Sequence, residues 1–184
     1  MERAKMIRLF ILVLIISLGA LIWTFSGFKN DFQLGIGLLM AILTGLWLIS
    51  LVIKDASIID VFWGSGFVII AWFYAFQNDL ANMGFREMIL LSMITIWGMR
   101  LTIYLAMRNL GKGEDYRYAQ WRKDNGEKWW WLSFFRVFAL QGFLLWIISA
   151  TYLPSLSTRA EMGVLEYFGV LLWIIGLYFE SVGD

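Results

Sequence analysis

The feature that most constrains this chain is the length of its apolar runs. Six can be marked, over residues 7–25, 34–53, 60–76, 88–107, 132–153 and 164–180. Each approaches the ~20 residues that carry a helix across the hydrocarbon core of a bilayer. Inside lipid no backbone amide or carbonyl can be left unpaired, so runs of this kind are helices. Only 16% of the 184 residues are charged, against about 25% in soluble domains. The expected fold is an all-α, polytopic integral membrane bundle of about six transmembrane helices. Nothing resembling a linker or a repeat divides it, so residues 1–184 read as one membrane domain.

The first run follows Arg3 and Lys5 and includes Arg8. It is too long for a signal peptide, and no small-x-small cleavage site follows before Lys29. It reads as a retained helix. The fifth run is expected to close at Pro154, the only proline. Lysines and arginines set the orientation. With the N-terminus in the cytoplasm, the inner side holds Arg3, Lys5, Arg8, Lys54, Arg108, Lys112, Arg117, Arg122, Lys123 and Lys128. The outer side holds Lys29, Arg86 and Arg159. Residues 108–131, Asp60 and the stretch from Glu180 to Asp184 then share the cytoplasmic side, in what is expected to be a bacterial inner membrane.

There is no cysteine and no histidine. Disulfides, zinc fingers and cysteine–histidine nucleophiles are excluded, as is imidazole acid–base chemistry. Proton transfer must use Asp, Glu, Tyr, Lys, Arg or water. No metal site and no nucleic-acid partner is expected. Gly37, Ala41 and Gly45 lie four residues apart, a small-residue stripe that suits close helix packing in lipid.

Polar residues within apolar runs cost about 2.5–3.5 kcal/mol each for a charge, and so call for a reason. In "ITIWGMRLTIYLAMRN", Arg100, Tyr104 and Arg108 fall at i, i+4 and i+8 on one helical face. That stripe fits either snorkelling arginines or a cation facing a wet pocket. Asp60 reads as a helix N-cap or as a carboxyl in an apolar cleft. Gly64 and Gly66 leave room for a flat ligand or for a neighbouring helix. Arg136 is placed to snorkel, and Gln141 to bond an adjacent helix. Glu180 and Asp184 are i, i+4 near the end of the chain. They form either a solvated end or a pair that accepts from ribose hydroxyls or from arginines.

The stretch "RNLGKGEDYRYAQWRKDNGEKWWW" mixes six basic residues with Glu114, Asp115, Asp124 and Glu127. A lipid-binding polybasic segment carries fewer acids. The mixture suggests folded structure, or recognition of a ligand with phosphates and hydroxyls. Gly111-Lys112-Gly113 is a turn beside basic groups. Trp129, Trp130 and Trp131 read as an interfacial aromatic belt.

Four strings carry a family resemblance: "DVFWGSGFVIIAW", "WGMRLTIYLAMRNLGKGEDYRYAQWR", "FFRVFALQGFLLWIIS" and "IIGLYFESVGD". Their order resembles the bacterial, largely uncharacterised branch of the steroid 5-alpha-reductase family. That superfamily also includes isoprenylcysteine carboxyl methyltransferases. The resemblance implies a membrane enzyme that uses NADPH to reduce a carbon–carbon double bond conjugated to a ketone, in an apolar substrate drawn from the bilayer lipid. An acid and a tyrosine hold the ketone oxygen in such enzymes. The resemblance makes Asp60 the carbonyl-side acid, with Arg100 and Tyr104 on the helix stripe beside it. Trp97 stands where the reductases place the tyrosine. Arg108, Asn109, Glu114, Asp115, Arg117 and Tyr118 correspond to the cofactor-side loop, and Glu180 and Asp184 to a later cofactor contact. Family members continue beyond the residue matching Asp184, through an Arg-His-Pro-Asn-Tyr-like nucleotide motif. The resemblance therefore implies the N-terminal two-thirds of a reductase, with weak or no NADPH binding by this chain alone. Two other expectations stand beside it: a relative using S-adenosylmethionine, and a non-catalytic helical membrane module.

Overall fold

A computed structural model describes residues 29–109 and 111–184. The run over residues 7–25 lies outside them. Every regular element among the described residues is helical. The long ones are α1 (Lys29–Ile53), α2 (Ile58–Gln77) and α3 (Phe85–Asn109). Next come α4 (Tyr116–Asn125) and α5 (Trp129–Ser133). A π-helical turn, Phe134–Ala139, joins α5 to α6 (Leu140–Ser149). The short α7 (Leu153–Ser157) and the final α8 (Val164–Gly183) complete the chain. Five helical stretches are long and apolar enough to cross a membrane: Asn30–Ile53, Ile58–Gln77, Phe85–Asn109, Tyr116–Ser149 and Val164–Gly183. The protein is an all-α integral membrane bundle.

The packed centre is formed by α1, α2 and α6. Phe32 and Leu39 on α1 meet Phe67, Ile70 and Tyr74 on α2 and Leu145 on α6, and Leu43 joins Ile59, Val137 and Phe138 in a second cluster, all buried. Their spacing along α1 is the stripe of an amphipathic face turned inward. Phe32 stacks on Trp146 at 4.2 Å between ring centroids. The Trp146 indole also donates to the Phe32 carbonyl at 2.6 Å. Inside this apolar mass the Tyr74 hydroxyl is matched with Ser149 Oγ at 3.0 Å. That pairing avoids the cost of burying an unbonded hydroxyl, about 1–3 kcal/mol.

Helices α2 and α3 form a hairpin whose backbones touch at two glycines. A Cβ on Gly64 would run into the Gly98 carbonyl oxygen, and one on Gly98 would come within 2.5 Å of the Gly64 carbonyl oxygen. No other residue fits either position. The room at Gly64 is therefore taken by a neighbouring helix.

Several sequence expectations are corrected. Among the described residues, nothing packs on the stripe of Gly37, Ala41 and Gly45: Gly37 and Ala41 are exposed, and no described atom lies within 4 Å of a Cβ placed at Gly37 or Gly45. The inward face of α1 is instead the larger-residue stripe described above. Pro154 does not end the fifth span, which stops at Ser149. It sits in the first turn of α7, where a missing N–H goes unnoticed because first-turn amides have no intrahelical acceptor. Asp60 is not an N-cap. That position is Ser57, whose side chain makes no capping bond.

Helix α8 stands apart, with no residue buried. It and α3 open with the same pattern, Met83-Gly84-x-x-Glu87 and Met162-Gly163-x-x-Glu166. In α8 the glutamate makes the return half of a capping box, with Glu166 Oε2 accepting from the Gly163 amide at 3.0 Å.

Replacing Gly64 with alanine should lower stability in detergent by about 1–3 kcal/mol, the usual cost of overpacking. Gly37→Ala should not destabilise. Thermal unfolding of the two variants checks this, and equal midpoints would contradict the glycine contact.

Candidate functional site

The polar residues gather at the end of the bundle where α2 begins and α3 ends. The first step is local. Gly111 and Gly113 have φ of +74° and +71°, left-handed values that glycine adopts without penalty. They turn the chain so that Glu114 reaches the α1–α2 connection. One oxygen of Glu114 accepts from the Ala56 amide at 2.8 Å and from Arg122 Nη2 at 2.7 Å. The other accepts from Arg122 Nε at 2.9 Å. Two parallel charge-assisted bonds of this kind are strong and orienting. Asp115 caps α4, accepting from the Arg117 amide at 2.9 Å. The Arg117 guanidinium is the main cause holding the Asp115 carboxyl below the ordinary carboxylate range.

This anchoring delivers Tyr118 to Asp60. The buried Tyr118 donates its hydroxyl proton to Asp60 Oδ1 at 2.7 Å, and Arg117 Nη2 donates to Oδ2 at 3.1 Å. Gln141 Nε2 approaches the Tyr118 oxygen at 3.3 Å, and the Trp63 indole donates to Gln141 Oε1. Trp63, Gln141, Tyr118, Asp60 and Arg117 thus form one continuous network drawn from α2, α4 and α6. Gln141 does bond neighbouring helices, as its position implied.

A second cluster lies on α3 and α8. Arg100 binds Glu180 through Nη2 and Asp184 through Nη1, the latter at 2.5 Å. The Trp97 indole donates to Glu180 Oε2 at 3.2 Å, and the Tyr104 hydroxyl to the Asp184 carbonyl at 3.0 Å. Arg108 lies over the Tyr104 ring, 5.4 Å from its centroid. Arg100 and Tyr104 therefore face α8, while the contact shown for Arg108 is with the Tyr104 ring of its own helix. The acids near the end of the chain accept from an arginine of α3. Among the described residues no hydrogen bond joins the two clusters.

The remaining candidates divide by what they touch. The Asn109 carbonyl accepts from the Lys112 amide at 3.1 Å and closes the turn after α3. Lys112, Lys123 and Lys128 have no ion-pair partner among the described residues. A cavity of about 460 Å³ beside α4 is lined by Tyr116, Arg117, Ala119, Gln120, Trp121 and Lys123. Arg136 is exposed and reaches Asn125 at 3.3 Å. The three tryptophans divide: Trp129 is buried under Arg122, while Trp130 and Trp131 are exposed. No group of His, Cys, Asp and Glu among the described residues suits a metal ion.

Sequence reasoning missed the pairing of Asp60 with Tyr118. The available signal was the i, i+4 spacing of Tyr118 and Arg122, which puts both on one face of the short helix; Tyr118 is its buried residue. Glu114→Gln should release α4 by weakening bonds worth about 1.5–3 kcal/mol. Hydrogen exchange over residues 111–128 should then rise roughly tenfold or more, while α1 and α2 stay protected. Unchanged exchange would contradict the anchoring role.

No curated protein and no solved structure matches this chain. Residues 46–184, which include every residue of both clusters, match the family described as "Protein of unknown function (DUF1295)". The chain belongs to that family.

Proposed function

We propose that this protein is the membrane part of a steroid 5-alpha-reductase-like enzyme. Its reaction would be NADPH-dependent reduction of the conjugated double bond in a steroid-like or other apolar enone. The hydrogen-bonded pair of Asp60 and Tyr118 carries this reading. It puts a carboxyl and a phenol 2.7 Å apart at the mouth of an apolar bundle. Reduction of an enone places negative charge on the carbonyl oxygen as the enolate forms. A donor already aimed at that oxygen stabilises the transition state more than the ground state. Tyr118 has one hydroxyl proton, which Asp60 now accepts, so a substrate carbonyl receives it only by replacing the carboxylate as acceptor, or takes a hydrogen bond from Asp60 when that is protonated. Gln141 and Trp63 fix the phenol, and Arg117 fixes the carboxylate.

The nucleotide's phosphates suit the bases around α4. Among the described residues Lys112 and Lys123 lack ion-pair partners, and Arg108 lies over the Tyr104 ring and near enough to Asp115 to help lower its carboxyl. Glu114, Asp115, Glu180 and Asp184 are engaged within the protein, so ribose contacts from them require those pairs to open. NADPH, when bound, supplies the hydride. On this reading the α4 end of the bundle is cytoplasmic and the substrate enters from the lipid.

The test is NADPH oxidation driven by a panel of conjugated ketones, in nanodiscs at saturating NADPH. Tyr118→Phe should cut kcat about 100-fold, the usual loss of one oxyanion donor, with KM changed little. Asp60→Asn should also lower kcat. A Tyr118→Phe enzyme as fast as the parent, or no ketone-dependent oxidation at all, would overturn the reading. A thermal shift with S-adenosylmethionine but none with NADPH would favour a methyltransferase instead.

A further inference from the structure

Helix α8 lies beside α3 with little packing to hold it there. None of its residues is buried, and Leu171, Ile174, Ile175, Tyr178 and Phe179 are all exposed. In water such a helix would be driven onto its neighbours. In lipid it is not, because acyl chains are as apolar as leucine, and helices associate through close packing and polar bonds. Close packing is missing between α3 and α8. Two cavities separate them, one of about 340 Å³ that reaches Val170 and Trp173, and one of about 370 Å³ beside Trp97, Trp173 and Leu177. Gly169 and Gly176 line these cavities, and no described atom lies within 4 Å of a Cβ placed at either.

Polar bonds remain, and they sit near the two ends of α8. At its start, residues 158–163 tie it to α7, and Arg86 Nε lies 3.6 Å from Glu166. Towards the other end the Arg100 guanidinium holds two acids one turn apart, Glu180 through Nη2 and Asp184 through Nη1 at 2.5 Å. Trp97 and Tyr104 add single bonds to the same two residues. All three charged side chains are partly exposed, and ion pairs of that kind are weak enough to open. We propose that α8 is a hinged lateral gate, tethered at its Arg86 end and latched onto α3 by Arg100. Released, it leaves Trp97 open to the bilayer. Trp97 packs on Phe67 and Phe67 on Trp63, each pair 5.7 Å apart between ring centroids, and Trp63 reaches Gln141. The gate thus covers an apolar approach to the Asp60 network. It stands on these contacts and does not depend on the reductase reading.

Distances between spin labels, measured by pulsed electron resonance in nanodiscs, test the gate. The chain has no cysteine, so two introduced ones carry the labels. Ile49 on α1, Ile103 on α3 and Phe179 on α8 are exposed and accept the substitutions Ile49→Cys, Ile103→Cys and Phe179→Cys in pairs. The pair at 49 and 179 follows the gate, and the pair at 49 and 103 is the fixed reference. Arg100→Gln should lengthen the first distance by roughly 5 Å or more, about half the separation of packed helix axes, and leave the second unchanged. Glu180→Gln combined with Asp184→Asn breaks the same latch from α8 and should give the same shift, so a folding defect peculiar to one variant does not decide the result. Two results would each overturn the proposal: a distance between 49 and 179 that stays put in both latch variants, or a reference distance that shifts along with it.

Discussion

The backbone contact of Gly64 with Gly98 governs the arrangement of everything at the polar end. Two helices that meet through bare glycines sit closer than side chains permit, and their register is then set. Asp60 lies one turn before Gly64 on α2. Arg100 and Tyr104 lie just after Gly98 on the antiparallel α3. The contact therefore brings an acid and a basic stripe to the same end of the bundle. From there each finds its own partners, Asp60 on α4 and Arg100 on α8. Charges and phenols placed near hydrocarbon must be bonded. Both clusters meet most of that demand with side chains from distant parts of the chain; of their described side-chain atoms Arg100 Nε alone is buried and unbonded.

Much of the fold was legible in the sequence because the bilayer requires so little of a span beyond length and apolarity. Segments at 34–53, 60–76, 88–107 and 164–180 differ from the observed helices by a few residues at each end. What failed was local detail that hydropathy does not encode. Gly37, Ala41 and Gly45 have the spacing of a packing stripe, yet the opposite face of α1 carries the bulk that fills the core. Proline reads as a stop signal but is equally at home in a first turn, and Pro154 is used that way. Asp60 has the composition of a cap but its carboxylate is taken by side chains instead.

The candidate site was legible as a set of residue types, less so as a geometry. The stripe of Arg100, Tyr104 and Arg108 follows directly from helical periodicity, and the pairing of Arg100 and Tyr104 with α8 does not. Tyr118 and Asp60 are 58 residues apart. They meet only because Glu114 hooks the loop onto the Ala56 amide, a side-chain-to-backbone bond that leaves no periodic trace. The π-helical turn Phe134–Ala139 is likewise invisible to pattern reading. It ends two residues before Gln141, whose amide completes the network. Elements of this type recur at functional sites.

The central claim is that Asp60 and Tyr118 act as one bonded unit within the assembled bundle. A double-mutant cycle on unfolding stability, with Asp60→Asn, Tyr118→Phe and the double variant, tests it most directly. The account predicts a coupling energy of about 1–2 kcal/mol, within the range for contacting residues. Single effects that simply add, to within about 0.3–0.5 kcal/mol, would contradict it.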